Sequence, residues 1–144
     1  MPPFESARSA LGDIVRSQDA AWCAGDAITF ASHALPDIVF TNIVGMFSVG
    51  LAPFIAQHEQ IFSTIYKGSR LAQEIVHLTM ATDAVAIIDT LTSVFDFNHL
   101  PPGVVATDGV LRTRLEQVVV LRDGVWRVQS FHNVAVSPVA ISRR

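Results

Sequence analysis

The sequence predicts an α+β fold in which a curved antiparallel sheet wraps over a long helix. Helical periodicity is concentrated in the first half of the chain, whereas the second half contains long runs rich in Val, Ile and Thr. Helices and strands that occupy separate blocks of sequence are typical of an α+β layer fold. At 144 residues the chain is predicted to form one domain, with a core over about residues 6–136 and short flexible tails.

Three helices are predicted in the first half. Apolar residues at three- and four-residue steps indicate a first helix over residues 6–25. Asp26 is the predicted N-cap of a short second helix that ends before Pro36. Pro53 fits the first turn of a third helix, which we expect to end near Tyr66.

The strands are predicted from β-branched runs bounded by turn residues. A strand over Asp37–Val44 turns at Gly45 into a brief strand that ends at Gly50. Beyond the third helix, we expect long strands over 71–80, 84–97, 110–122 and 125–136, with a loop over 99–109. The Asp123-Gly124 pair predicts a tight hairpin turn between the last two of these strands. The long strands most simply pair as sequence neighbours.

Composition excludes several classes of partner. The net charge is −3 and the basic residues are scattered, so no nucleic acid partner is expected. The chain has no apolar run long enough to span a bilayer, so no membrane partner is expected either. The single Cys23 excludes an internal disulfide framework, and MPPFESARSA does not read as a secretory signal, so we expect a cytoplasmic protein. Apolar residues make up 50%, a surplus that favours a subunit interface in addition to a core.

Two histidines are the main candidate functional residues. Strict alternation along the last strand puts His132 on the same face as Trp126 and Val128, which we expect to point inward. His58 lies within the apolar stripe of the third helix, so its imidazole should face the sheet. The two histidines are therefore predicted to line one apolar pocket as catalytic groups. The alternative is that each is a core residue whose ring nitrogens bond to the main chain.

A carboxylate base is harder to identify from the pattern. Asp89 and Asp96 lie on a strand whose two faces are both apolar, so periodicity does not decide which way they point. Glu116 shares its face with arginines and is better explained by an exposed ion cluster. Asp89 is retained as the third candidate catalytic residue. No metal is expected, because the segment that begins His58-Glu59 has Phe62 where a zinc-protease helix needs a second histidine.

Several short motifs together resemble one protein family. They are Trp22-x-x-Gly25-Asp26-Ala27, Phe40-Thr41-Asn42 with Gly45 and Gly50, Ile55-x-x-His58, Tyr66-Lys67-Gly68-Ser69, Asp83-Ala84-Val85-Ala86, and Gly124-x-Trp126 leading to Phe131-His132-Asn133. This pattern resembles the SnoaL-like group of the nuclear transport factor two superfamily, and within it the SgcJ/EcaC-type subgroup. The likeness runs from about Ser6 to Val136.

The resemblance implies a cone-shaped, cystatin-like α+β barrel with a largely hydrophobic pocket at its wide end. It also implies a homodimer formed through the outer faces of the sheets. Relatives include ketosteroid isomerase, polyketide cyclases, dehydratases and members without known catalysis, so the fold does not select a function. The chain departs from the subgroup at Gly50-Leu51, where Gly-Arg is usual, which removes a cation near the pocket rim that would contact an anionic ligand.

Site residues follow from the motif positions. Asn42, His58, His132 and Asn133 match them, although Asn133 points away from His132 on a regular strand and faces inward only if a bulge intervenes. Asn42 is predicted either to contact the ligand or to hold the hairpin backbone. The remaining predicted ligand-binding residues are aromatic: Phe40, Phe62, Tyr66 and Trp126.

Two functions are compatible with these residues. One is a cofactor-independent isomerase, cyclase or lyase acting on an apolar carbonyl metabolite, with His132 or His58 transferring the proton. The other is a module that binds a hydrophobic small molecule without transforming it. Neither needs a cofactor.

Overall fold

The computed structural model describes residues 3–142, with side chains over 4–140. The elements in chain order are α1 (Pro3–Cys23), α2 (Ala27–Phe30), β1 (Ala34–Thr41), β2 (Phe47–Val49), α3 (Leu51–Ser63), β3 (Arg70–Thr82), β4 (Val85–Phe95), β5 (Leu111–Arg122), β6 (Val125–Ala135) and α4 (Pro138–Ser142). The predicted α+β class is confirmed. The short helix α4 lies where a flexible tail was predicted.

A single six-stranded sheet is built in the order β2-β1-β6-β5-β4-β3. The four long strands pair with their sequence neighbours in antiparallel fashion, as predicted. The pairing of β1 with β6 is parallel, and sequence reasoning did not predict it. The register of this pair is irregular between Ala34 and Val39. Pro36, which has no amide hydrogen to donate, lies within that irregular stretch.

The helices begin where local chemistry favours them. Asp26 caps α2 as predicted, because its carboxylate accepts a hydrogen bond from the Thr29 amide at 3.0 Å. The helix α3 begins at Leu51, so Pro53 falls in its first turn. Gly50 precedes it at φ 112°, a conformation that disfavours any residue with a Cβ.

A bulge in β6 decides which side chains reach the interior. Val119 of β5 pairs with Val128, but the next residue back, Val118, pairs with Ser130, so Gln129 is an extra residue in β6. Val128 before the bulge is buried. After the bulge the buried residue is Phe131, three positions later instead of two or four. The inward face of β6 therefore changes from even-numbered to odd-numbered residues at Gln129.

A buried amide pair anchors α1 to the sheet. Gln18 donates to the Gln117 carbonyl oxygen at 2.7 Å, and Gln117 donates back to the Gln18 oxygen at 2.9 Å. Gln73 donates to the same Gln18 oxygen and accepts from Thr90. Gln18 and Gln117 are 3% and 0% exposed, so this network fixes the position of the helix with its polar groups satisfied. Within residues 3–142, no helix is both long and apolar enough to cross a membrane.

Removing one member of the amide pair is predicted to destabilise the protein more than removing both. Gln18→Leu leaves the Gln117 amide buried and unpaired, which should lower the free energy of unfolding by about 1–3 kcal/mol. The double variant Gln18→Leu/Gln117→Leu should recover part of that loss because no orphan remains at Gln117. Urea unfolding of the single and double variants measures this coupling. Strictly additive losses would show that the pair contributes nothing beyond its separate members.

Candidate functional site

A cavity of about 100 Å³ lies between α3 and the inner face of the sheet. Helices α1 to α3, strands β1 and β3 to β6, and the loops after β1, α3 and β4 all contribute to its wall. Most lining residues are aromatic or aliphatic: Trp22, Phe30, Phe40, Ile43, Val44, Ile61, Ile65, Tyr66, Leu71, Val94, Pro101, Leu111, Leu115 and Phe131. The polar ones are Asn42, Gln57, His58, Thr92, Thr113 and Asn133. Over the described side chains, no Asp, Glu, Lys or Arg lines this cavity.

His58 is packed inside a cluster of aromatic rings. The helix α3 buries Phe54, His58 and Phe62 on one face, which is the i, i+4, i+8 stripe predicted from the sequence. The His58 ring centroid lies 4.5 Å from that of Phe54 and 4.7 Å from that of Phe30. Four further rings lie within 6.4 Å, those of Trp22, Phe40, Phe62 and Phe131. His58 is therefore in an almost entirely apolar environment, with an exposure of 3%.

The hydrogen bonding of His58 fixes its tautomer. Its Nδ1 lies 2.8 Å from the main-chain oxygen of Phe54. A carbonyl oxygen only accepts, so Nδ1 must carry the hydrogen. Burial lowers the pKa of His58 to about 4, opposed only by this hydrogen bond, so the ring is neutral at pH 7. The remaining nitrogen, Nε2, then carries a lone pair, and it has no hydrogen-bond partner among the described residues.

Three further polar groups at the cavity lack partners. The carbonyl oxygens of the Gln57 and Asn133 side chains are sealed from solvent, and neither has a hydrogen-bond partner among the described residues. Burial raises the pKa of Tyr66 to about 12, because nothing compensates the loss of water around its hydroxyl. In contrast, the hydroxyls of Thr92 and Thr113 bond to each other. The residues of the wall therefore include several polar groups without partners and no formal charge, and the Gln57 and Asn133 oxygens among them are sealed.

Asn42 holds the hairpin backbone, as one of its two predicted roles required, and its position at the cavity keeps ligand contact as a prediction. Its side-chain oxygen accepts hydrogen bonds from the amides of Val44 at 3.1 Å and Met46 at 2.9 Å, which holds the turn between β1 and β2. Asn42 also lines the cavity. Because its oxygen is occupied by the backbone, only the amide nitrogen remains for a ligand.

The predicted aromatic residues divide into two groups. Phe40 and Tyr66 line the cavity. Phe62 is buried behind this wall, with its ring centroid 4.9 Å from that of Trp22, and Trp126 packs against the core without reaching the cavity lining. Phe62 and Trp126 are therefore core residues outside the cavity lining, unlike the predicted ligand-binding residues Phe40 and Tyr66.

The prediction that His132 faces the interior is wrong. His132 is exposed and lies opposite Glu116 on the outer face of the sheet, because the bulge at Gln129 reverses the alternation behind the prediction. Asn133 takes the inward position instead. Asp89 also lies on the outer face, opposite Glu116 on the neighbouring strand. His58 is thus separated by the sheet from both other predicted catalytic residues.

These outer residues line a separate surface depression of about 330 Å³. Its walls include His132, Asp89, Glu116 and Arg114, with Val76 and Val134 at its margin. Within the described residues, no group of three or more His, Cys, Asp or Glu is arranged to hold a metal ion. The homodimer expected through the outer face of the sheet would cover this region, and it stays a prediction.

Sequence reasoning missed part of the cavity wall. Asn133 was considered inward only if a bulge intervened, and no residue type near Gln129 identifies the bulge. Gln57 was not considered, although it precedes His58 on the same helix. Thr92 and Thr113 lie opposite each other on β4 and β5, a pairing that the alternation of each strand alone does not reveal.

The low pKa of His58 predicts a specific acid sensitivity. The unfolded chain binds a proton at this residue near pH 6.5, whereas the folded protein does so only near pH 4. Stability is therefore lost as pH falls from about 6.5 to 4, and His58→Phe removes this loss. The quantity to compare is the free energy of unfolding of His58→Phe minus that of wild type. This difference should be larger at pH 4.5 than at pH 7.5 by about 2–3 kcal/mol. Urea unfolding at both pH values measures it, and a difference independent of pH would contradict the buried neutral ring.

Comparison with known proteins gives the fold. No protein-family model matches the chain, and no curated protein matches it. Among solved structures, it is similar to a protein with a cystatin-like fold from Caulobacter vibrioides, with a TM-score of 0.80, 24% identity and coverage of 94% of both chains. An NTF-2 like protein from Shewanella oneidensis matches with a TM-score of 0.72 and 13% identity over 89% of this chain and 98% of that one. A ketosteroid isomerase-like protein from Erwinia carotovora matches with a TM-score of 0.72 and 16% identity over 90% and 96%. The chain therefore has the cystatin-like, NTF2-like fold that these proteins share.

Proposed function

We propose that this protein binds a neutral, largely apolar small molecule in the cavity between α3 and the sheet. The observation that carries the proposal is the combination of an aromatic wall with unpaired neutral polar groups at His58, Gln57 and Asn133. Ligand sites are typically apolar cavities with a few placed polar groups. A purely structural core would leave fewer such groups without partners.

The neutral wall also constrains what binds. An anionic ligand would find no cationic side chain among the described lining residues, and a cationic ligand would find no carboxylate. Transfer of an unpaired charge from water into such a site is strongly unfavourable. The absence of an arginine at Gly50-Leu51 is consistent with this preference for neutral molecules.

Catalysis of proton transfer at His58 is the second candidate. It is favoured by the unprotonated Nε2 of a neutral imidazole in a desolvated site. A ketosteroid isomerase-like protein shares the fold at 16% identity, so the fold is compatible with an enzyme of this kind. The sequence motifs indicate the SnoaL-like group and its SgcJ/EcaC-type subgroup, and membership of the chain in that group is part of this proposal. With His132 and Asp89 on the outer face, any such reaction would depend on His58.

Filling the cavity is predicted to abolish ligand binding without unfolding the protein. Ile61 is half-buried and lines the cavity, so the indole of Ile61→Trp should occupy the space that a ligand needs. Small neutral aromatic compounds should raise the thermal midpoint of wild type. At a hundredfold excess over Kd the stabilisation is about 2.7 kcal/mol. The matched control is Val134→Trp, at an exposed position on the outer face.

The expected result is stabilisation of wild type and Val134→Trp but not of Ile61→Trp. Ligand stabilisation that is equal in all three proteins would place binding elsewhere and contradict the proposal. Circular dichroism of the free proteins establishes beforehand that both variants are folded.

If His58 is a catalytic base, its pH profile should be shifted to acid. The group acts only when unprotonated, so kcat/KM for a turned-over substrate should fall as pH drops through about 4, where His58 titrates. An ordinary exposed histidine would give an acid limb near pH 6.5. A limb near 6.5, or activity retained by His58→Phe, would exclude His58 as the base.

A further inference from the structure

The chemistry of the cavity indicates a more specific ligand class, and this inference rests on the proposed function. We infer that the ligand is a neutral single-ring compound bearing a hydroxyl group, phenol being the simplest, and that the hydroxyl donates its hydrogen to Nε2 of His58. Three independent features support it: the polarity of the unpaired groups, the volume of the cavity and the aromatic wall.

The polarity favours a hydrogen-bond donor. Nε2 of His58 can only accept, because the hydrogen of the neutral ring is on Nδ1, which contacts the Phe54 oxygen. The side-chain oxygens of Gln57 and Asn133 also lack partners, but both are sealed, so Nε2 is the acceptor that a ligand reaches in this structure. A buried unpaired acceptor costs about 1–3 kcal/mol. A ligand hydroxyl would satisfy Nε2 of His58, whereas an ether or a ketone could pair only with a donor such as the Tyr66 hydroxyl or the Asn42 amide and would leave Nε2 unpaired.

The volume limits the ligand to one ring. Cavities that hold drug-sized ligands have volumes of about 300–1,000 Å³. The cavity here, at about 100 Å³, is closer to the roughly 150 Å³ apolar cavity known to hold benzene. A fused-ring ketone would therefore require the wall to open, but a monocyclic compound is close to the available volume.

The wall matches an aromatic ring. Phe40, Phe131 and Trp22 line the cavity, and Phe40 and Phe131 already meet edge to face with centroids 5.4 Å apart. Aromatic pairs in such geometries gain about 0.5–1.5 kcal/mol beyond simple burial. The His58 ring lines the same cavity, with its centroid 5.3 Å from that of Phe40 and 6.4 Å from that of Phe131, so a ring bound against these two phenyl groups lies next to His58.

The experiment compares phenol with two probes that lack the donor. Toluene has a similar shape without a hydroxyl, and anisole keeps the oxygen but has no hydrogen to donate. Dissociation constants for the three compounds are measured by amide NMR titration on wild type, His58→Phe and His132→Phe. The last variant carries the same substitution on the exposed outer face.

For toluene and for anisole, we divide the Kd of the compound by the Kd of phenol. This ratio should be about tenfold or more smaller in His58→Phe than in wild type, which is the size of one buried hydrogen bond. The ratio should be unchanged in His132→Phe. The ¹⁵N resonance of Nε2 in His58 should shift when phenol binds and not when toluene binds, which reports the hydrogen bond directly even if His58→Phe is poorly folded.

The outcomes separate the inference from the proposed function. If all three compounds bind equally in wild type and Nε2 does not respond, the hydroxyl donor is overturned but the apolar binding site stands. If none binds at millimolar concentration, both the inference and the proposed function are overturned. If the ratio changes equally in both variants, the effect is not located at His58 and the inference fails.

Discussion

One extra residue in β6 determines the composition of the cavity. Gln129 has no partner of its own on β5, and beyond it the strand presents Phe131 and Asn133 to the interior instead of His132. The Gln129 side chain contacts the backbone and carboxylate of Asp37 on β1, where the register of β1 with β6 is also irregular. In a regular strand an imidazole would replace a phenyl ring in the core, at the cost of desolvating a polar group. The bulge is therefore what adds Phe131 to the aromatic wall and leaves His58 as the single histidine in it.

With one histidine inside, burial decides its chemistry. Six aromatic rings surround His58, and the one strong interaction available to it is the Phe54 carbonyl oxygen of its own helix. This arrangement keeps the His58 ring neutral and selects the tautomer with a free Nε2. The ring is oriented by a main-chain oxygen, with no carboxylate involved. A carboxylate on Nδ1 would raise the basicity of the ring, whereas a main-chain oxygen raises it little. The geometry thus favours a hydrogen-bond acceptor over a strong base.

The sequence predicted the direction of the His58 side chain correctly and that of His132 incorrectly, and in both cases the outcome depends on whether the element keeps its regular period. A helix without a kink keeps its 3.6-residue period, so the apolar stripe of α3 located the His58 side chain reliably. A strand keeps its two-residue period only until a bulge, and every later side chain then changes face. The type and order of most elements and the Asp26 cap follow from local chemistry. The parallel β1–β6 pairing and the outward position of Asp89 depend on contacts between distant segments, which local patterns do not contain.

The unpaired acceptors connect stability with ligand choice. The Gln18–Gln117 pair shows that this fold can satisfy buried amides completely, yet Gln57 and Asn133 at the cavity remain unsatisfied. Each such group destabilises the empty protein by about 1–3 kcal/mol. At Nε2 of His58, which is also unpaired, an occupant with a hydrogen-bond donor would recover that cost as binding free energy. An apolar molecule without a donor would gain from burial alone. Discrimination between these ligands therefore comes from polar groups that the protein leaves unpaired, since its apolar wall contacts either molecule equally well.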